Sequence, residues 1–246
     1  MTTRWATIVF ARPPRPGQVK TRLIPALGEE ASAALYQCLL SDTIVEMLRL
    51  RGVGPPLTVE QQLPVHLLLA WDKPPAPEDL SLLPGKTLPA FLQEGADLGE
   101  RLLAAFRAAF ERGFAQVAVI GSDQPLLEAE EVYRALQLLD EADVALGPCD
   151  DGGYYLIAAK QAHAELFSGI DWGSSKVLAQ TLARAAQAGL VTAQLKSGYD
   201  VDSLADLQRL KAELASGGRE RIPCPRTFEF VRQWQDANRG DHPGAG

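Results

Sequence analysis

Five cations and no acid fall within the first 28 residues: Arg4, Arg12, Arg15, Lys20 and Arg22. Four of them sit in residues 12–22, RPPRPGQVKTR. The whole chain carries 24 Lys and Arg against 31 Asp and Glu, a net charge of −7, so the local excess asks for a reason. Arginine offers planar bidentate contacts and lysine a point charge, and both suit a diphosphate. Gly17 would let the backbone come close to it. Arg12, Arg15, Lys20 and Arg22 are therefore candidate nucleotide-phosphate ligands, with Lys20 also a candidate catalytic cation. The competing reading is a solvated basic loop. Neither a Walker A pattern nor a dinucleotide fingerprint is present.

Carboxylates form a second group. Asp123 ends the apolar run in VAVIGSD, residues 117–123. A short carboxylate at a strand end can reach a Mg²⁺ or Mn²⁺ held by phosphate oxygens, since such ions take one or two protein carboxylates plus phosphates. Ser122 beside it is a candidate substrate contact. Asp200-Val201-Asp202 follows an extended segment, and alternation puts its two aspartates on one side. Asp202 is the candidate second metal ligand. Helix capping is the competing role for Asp123, and for Asp202 or Ser203 with Asp206 in the first turn. For Asp200 a cap or a supporting role is the expectation. A third group is the loop at residues 147–155, GPCDDGGYY. Asp151 is a candidate catalytic base, and Gly152, Gly153 and Tyr154 could let a sugar lie against the backbone. A plain hairpin turn would use the same residues.

These groups need strand ends and loops to hold them. Short apolar runs predict strands at residues 7–11, 65–71, 117–120, 143–146, 154–158 and 191–195, with a weak one at 90–95. Helical spacing predicts helices over 29–50, 98–112, 128–142, 174–188 and 203–215. Residues 52–64 and 74–89 read as Pro/Gly-rich connections, the latter with at most a short helix. Strands alternating with helices imply a mostly parallel sheet covered on both faces. Residues 143–158 suggest one antiparallel departure. The expectation is one domain over residues 1–215. Residues 216–246 would form an extension without a clear period, partly disordered and frayed from 238, packing on the fold or on a second copy as in a homodimer.

The composition excludes several classes. Apolar residues make up 46% and charged residues 22%, which rules out wholesale disorder. Net acidity argues against a nucleic-acid binder. No apolar run approaches the ~18 residues of a membrane span. The short apolar stretch at residues 5–11 runs into Arg-Pro-Pro and makes a poor signal peptide. Three scattered cysteines form no framework, and a cytoplasmic protein is expected. His66 and His163 are expected to be structural, and Trp172 to pack or to stack on a ligand.

Taken in order, TIVFARPPRPGQVKTRL, QEGADLGERL, VIGSDQPLL, ALGPCDDGGYYLIA, LFSGIDWGSSKVLAQT and DVDSLADL resemble the DUF2064 proteins. These are GT-A-like members of the nucleotide-diphospho-sugar transferase superfamily, one set of them labelled as glycosyltransferases of arsenosugar biosynthesis. The superfamily also holds the molybdenum-cofactor and phospholactate guanylyltransferases. The resemblance runs over residues 6–210. It implies a GT-A-like, Rossmann-like three-layer sandwich. It also implies phosphate contacts from Arg12, Arg15, Lys20 and Arg22, base contacts near Gln93 and Gly95, metal ligation by Asp123 and Asp202, and an acceptor or sugar loop at 151–154. Two departures stand out. Trp172-Gly173-Ser174 replaces the Trp-Ser-Thr of relatives, and Gly121-Ser122-Asp123 is not the Asp-x-Asp of many GT-A glycosyltransferases. The expectation is a transferase dependent on Mg²⁺ or Mn²⁺ that takes a nucleotide-diphosphate sugar donor and a small-molecule acceptor. The alternative is a nucleotidyltransferase joining an NTP to a phosphorylated small molecule.

Overall fold

The computed structural model describes residues 4–51, 65–81, 83–84, 87–216 and 221–240. The connection expected at 52–64 and the end at 241–246 lie outside the described residues. Seven strands form one sheet in the order β3-β2-β1-β4-β6-β5-β7. They are β1 (Trp5–Ala11), β2 (Val65–Trp71), β3 (Ala90–Leu92), β4 (Gln116–Ile120), β5 (Val144–Pro148), β6 (Tyr154–Ala159) and β7 (Thr192–Gln194). β1 pairs in parallel with both β2 and β4, β2 with β3, and β5 with β7. β6 runs antiparallel to β4 and β5, which is the departure expected from residues 143–158.

Alternation along the strands sorts the core into two layers. One face carries Val9, Leu67, Leu69, Trp71 and Ile120 under α2 (Glu29–Leu48) and α5 (Ala129–Leu138). The other carries Ile8, Leu68, Val119 and Ile157 under α4 (Leu98–Glu111) and α6 (Val177–Gln187). The result is the expected three-layer α/β sandwich. Two short helices, α1 (Ile24–Leu27) and α3 (Pro77–Ser81), sit in the loops after β1 and β2.

α2 is buried on two sides. Tyr36, Leu40 and Ile44 face the sheet, while Leu35 and Leu39 meet α7 (Leu204–Ala215) and α8 (Pro225–Gly240). A helix covered all round loses a clean amphipathic stripe. α8 itself is a departure from the sequence reading, which found no period beyond residue 216. Its amino end is capped from another helix. Asp42 on α2 accepts the Thr227 backbone N–H at 2.8 Å and the Thr227 hydroxyl at 2.9 Å, and the Arg226 backbone N–H at 3.2 Å. One turn later Glu46 accepts the Ala129 N–H at 3.0 Å, closing the start of α5, and takes Arg221 bidentately at 2.7 Å. No residue local to these helices supplies those caps, so a local pattern could not announce them.

Candidate active site

The chain leaves β1 for β2 and β3 on one side, then returns to β4 on the other. Ligands in open α/β sheets bind outside the carboxyl ends of strands at such a reversal. The residues there are Arg12, directly after β1, and Gly121-Ser122-Asp123, directly after β4. Tyr36 from α2 ties the two strand ends together. Its hydroxyl accepts the Arg12 N–H at 2.9 Å and lies 3.0 Å from Ser122 Oγ. Burial raises the Tyr36 phenol to about 12, so it stays protonated.

Lys20 is the centre of the site's electrostatics. Its backbone is left-handed, φ 47° and ψ 41°, the sole non-glycine positive φ among the described residues. Such a conformation is sparsely populated for a side-chain-bearing residue and marks functional positions. The side chain is 3% exposed, and Nζ lies 2.5 Å from Asp123 Oδ1 and 2.9 Å from Asp202 Oδ1. Burial alone would lower the Lys20 pKa, but the two carboxylates outweigh it and hold the ammonium charged. Burial likewise works against Asp202, and Lys20 holds its carboxyl below the ordinary value.

Two cavities open on this floor. The larger, about 450 Å³, is lined among others by Gln93, Asp97, Arg101, Ser122, Tyr154 and Asp200. The smaller, about 300 Å³, is lined by Val19, Lys20, Thr21, Arg22 and Asp202. Arg12, Tyr36 and Asp123 line both. The basic loop and the strand-end aspartates therefore do share one cleft.

The candidate residues divide. Arg12 and Arg22 are exposed over the cleft, with Arg12 Nε 3.6 Å from Asp72 and Arg22 3.9 Å from Asp202. Arg15 turns away. It binds the buried Asp79 at 2.7 Å and lines neither cavity. Gln93 lines the larger cavity while its amide donates to the Ala70 carbonyl. Gly95, at φ 138°, lies against Glu100 and the start of α4 and is outside both linings. Tyr154 reaches the larger cavity with its phenol held protonated by burial. Tyr155 points to the opposite face and donates to the Lys196 carbonyl at 3.1 Å.

Asp151, Gly152 and Gly153 line neither cavity. Asp151 is exposed and accepts the Gly153 N–H at 2.9 Å. Gly152, at φ 89°, docks α6: its carbonyl accepts the Leu178 N–H at 2.8 Å, and an added Cβ would run into the Ser175 carbonyl. Trp172 packs over Gly99 in the first turn of α4. His66 contacts the Phe114 ring.

The capping alternative fails for Asp123 and Asp202 and holds for Ser203 with Asp206. α5 begins at Ala129, whose N–H goes to Glu46, so Asp123 caps nothing there. Ser203 caps α7 in a capping box with Asp206, which leaves Asp202 to Lys20. Two site residues, Tyr36 and Arg101, are not legible as such in the sequence, and Asp200, expected only to cap or support, lines the larger cavity. Tyr36 hides in an apolar stripe. Arg101 had a usable signal, since it lies four residues after Asp97 and shares its helix face.

A divalent cation would meet hard oxygen donors here, as Mg²⁺ or Mn²⁺ requires. Among the described residues no three His, Cys, Asp or Glu side chains could hold a metal ion by themselves. The carboxylates therefore fit a cation that also takes substrate phosphate oxygens.

The sequence matches the family described as uncharacterized protein conserved in bacteria, DUF2064, over residues 57–174. A candidate nucleotide-diphospho-sugar transferase from Desulfovibrio desulfuricans G20 is 31% identical, with a TM-score of 0.82 over 97% of this chain and 98% of that one. The chain belongs to the DUF2064 family. Two further structures share the fold with this DUF2064 protein. A nucleotidyl transferase from Methanothermobacter thermautotroptrophicus is 16% identical, TM-score 0.53, over 86% and 98% of the two chains. A cytidylyltransferase from Leptospira borgpetersenii serovar Hardjo-bovis is 10% identical, TM-score 0.51, over 99% of each. At that identity the likeness is one of fold alone. No curated protein matches the sequence. Among the described residues of the DUF2064 protein, no helix is long and apolar enough to cross a membrane.

Proposed function

We propose that this DUF2064 protein is a transferase that uses a nucleotide-diphosphate sugar as donor and a small molecule as acceptor, with Mg²⁺ or Mn²⁺ at Asp123. The observation that carries the reading is the convergence of Arg12, Lys20 and Arg22 with Asp123 and Asp202 in one cleft at the β1–β4 reversal. The 31% identical structure described as a candidate nucleotide-diphospho-sugar transferase supports it.

Each side chain has a distinct task. Arg12 and Arg22, exposed over the cleft, bind the diphosphate. Lys20 is already shared between two carboxylates. It acts less as a free phosphate ligand than as the post that fixes Asp123 and Asp202. The larger cavity, with Gln93 and Arg101, receives the nucleoside. A divalent cation held at Asp123 would supply neutralisation of the charge building on the departing nucleoside diphosphate. Asp123 presents its carboxylate to both cavities and would hold that cation with the phosphate oxygens. Asp151, exposed on the β5–β6 loop, orients the acceptor hydroxyl and draws its proton.

A second reading is nucleotidyl transfer, favoured by the lone aspartate in Gly121-Ser122-Asp123 and by the fold shared with nucleotidyltransferases. Incubation with labelled NDP-sugars and NTPs and Mn²⁺ tests both. Release of a nucleoside diphosphate from an NDP-sugar is the expected result. Pyrophosphate release from an NTP would replace it with the second reading. Nucleotide binding that persists in EDTA without turnover of any donor would overturn both.

A further inference from the structure

The loop that carries the cations of the cleft must itself be held in place. Its first residue, Arg12, is fixed by Tyr36, and Val19 near its end is buried. Among the described residues, the only side-chain hydrogen bonds that residues 13–18 make to the rest of the fold are those of Arg15. Its Nε and Nη2 lie 3.2 and 2.7 Å from Asp79 Oδ2, and Nη2 also reaches the Pro74 carbonyl at 3.4 Å. Arg15 is also the pivot of the loop's own turn. It donates its N–H to the Pro13 carbonyl at 2.8 Å, and its carbonyl accepts the Gln18 N–H at 3.1 Å.

The partner that grips Arg15 is stiff. Asp79 is buried on α3, and the same Oδ2 accepts the Ala76 N–H at 2.7 Å. Pro74, Pro75 and Pro77 restrict the backbone between β2 and α3. Leu80 and Leu83 seat this segment on the core. Asp72, at its start, donates its N–H to the Ala11 carbonyl of β1 at 3.0 Å. Burial works to raise the Asp79 carboxyl, but the hydrogen bonds from Arg15 and Ala76 outweigh it and hold the value below the ordinary one. If Arg15 left, a buried carboxylate would lose its counter-charge, which is strongly destabilising. Arg15 lines neither cavity of the cleft.

We infer that Asp79 is a positioning residue for the diphosphate: through Arg15 it braces the loop that presents Arg12, Lys20 and Arg22 to the cleft, and Arg15 stays on Asp79 when the ligand binds. The inference rests on the reading of this cleft as a diphosphate site, and it reassigns Arg15 from phosphate ligand to brace. A loop ordered in advance loses less entropy on binding, so the brace acts on affinity for the anion rather than on the chemical step. The sign of the charge makes this separable from plain electrostatics. Asp79 is negative and close to a site for an anion, so Coulomb's law alone has its neutralisation strengthen binding. The brace requires the opposite.

Pyrophosphate with Mg²⁺ is the probe, because it needs neither base nor sugar. Its affinity is measured by calorimetric titration for the full-length wild type, Asp79→Asn, Arg15→Gln and the double variant. Each single variant is expected to bind about three- to tenfold more weakly. The double variant, whose net charge equals that of wild type, is expected to lose no more than either single one. Glu46→Gln, destabilised but outside the loop and the cleft, is expected to keep its affinity within about twofold, which separates loss of the brace from loss of stability. Asp79→Ser replaces the Asn variant should that one fail to fold. Unchanged or tighter binding in Asp79→Asn, losses that multiply in the double variant, or an equal loss in Glu46→Gln would overturn the inference and leave the diphosphate reading intact. Wild type that binds neither pyrophosphate nor any common nucleoside diphosphate at millimolar concentration would overturn both.

Discussion

Tyr36 Oη lies 3.0 Å from Ser122 Oγ and accepts the Arg12 backbone N–H at 2.9 Å, so one phenol on α2 joins the ends of β1 and β4. Residues 24 and 86 positions away in sequence thereby meet at the mouth of the cleft. Tyr36→Phe removes both bonds while keeping the ring. A partly buried N–H and a buried hydroxyl then lose their partner, and stability should fall by about 1–3 kcal/mol. Urea denaturation measures this. The donor KM should rise with it, because the Arg12 backbone is no longer held.

Lys20 and Arg22 should behave differently although they are two residues apart. Lys20→Met leaves Asp123 and Asp202 facing each other without a buried cation. Both aspartates are partly exposed, at 36% and 48%, so the cost is set below that of a fully buried pair, at roughly 2 kcal/mol. Arg22 is 77% exposed. Its replacement by Ala should barely move Tm, yet weaken donor binding at low salt and progressively less at high salt. Melting curves and binding titrations at two ionic strengths distinguish the two residues. Equal salt dependence of donor binding in wild type and Arg22→Ala would remove Arg22 from the phosphate site.

Gly152 and Gly173 share a left-handed backbone, at φ 89° and 83°, but only Gly152 is crowded. Gly173→Ala meets nothing within 4 Å, and its cost is that of the backbone, about 1 kcal/mol. Gly152→Ala must also move the Ser175 carbonyl, and should cost more than about 2 kcal/mol. It should also lower kcat, since the same loop carries Asp151. Thermal melts of the two variants side by side check the difference.

Glu46 makes stability depend on acid. Burial works to raise its pKa, but hydrogen bonds from Arg221, the Ala129 amide and Arg49 outweigh it, and the net value lies below the ordinary 4.5. A lowered carboxyl pKa contributes stability that is complete above the ordinary value and disappears as pH falls through the lowered one. Glu46→Gln should therefore be destabilised by roughly 2–3 kcal/mol at pH 7, with the gap to wild type closing below about pH 4.5. A pH series of melts follows it. A gap that stays constant down to pH 3 would show that shape, not charge, is what Glu46 supplies.

Much of the fold was legible because local signals agreed with it. Residues 117–120 read as a buried strand and became β4, and the turn-separated pair at 143–158 became β5 and the antiparallel β6. The basic run after β1 and the aspartate after β4 were also found, and they do meet. What could not be read was direction. Nothing in RPPRPGQVKTR says that Arg15 turns to Asp79, 64 residues on, while Lys20 is drawn inside. The same holds for α8, whose start is fixed by Asp42, 185 residues before Thr227. Partners chosen across such distances leave no period in either segment.

The two acids on α2 have a further consequence for the chain's last stretch. Asp42 and Glu46 are buried, and residues 221–227 reach them with Arg221, Arg226 and Thr227. Shortening the polypeptide at residue 216 would strip Asp42 of its Arg226 and Thr227 donors and Glu46 of Arg221, leaving Glu46 only Ala129 and Arg49, and would uncover the apolar flank around Leu35 and Leu39. The helix α8 is thus a fastened cover over α2, and an edit made for convenience there would be felt in the helix that holds Tyr36 against the ends of β1 and β4.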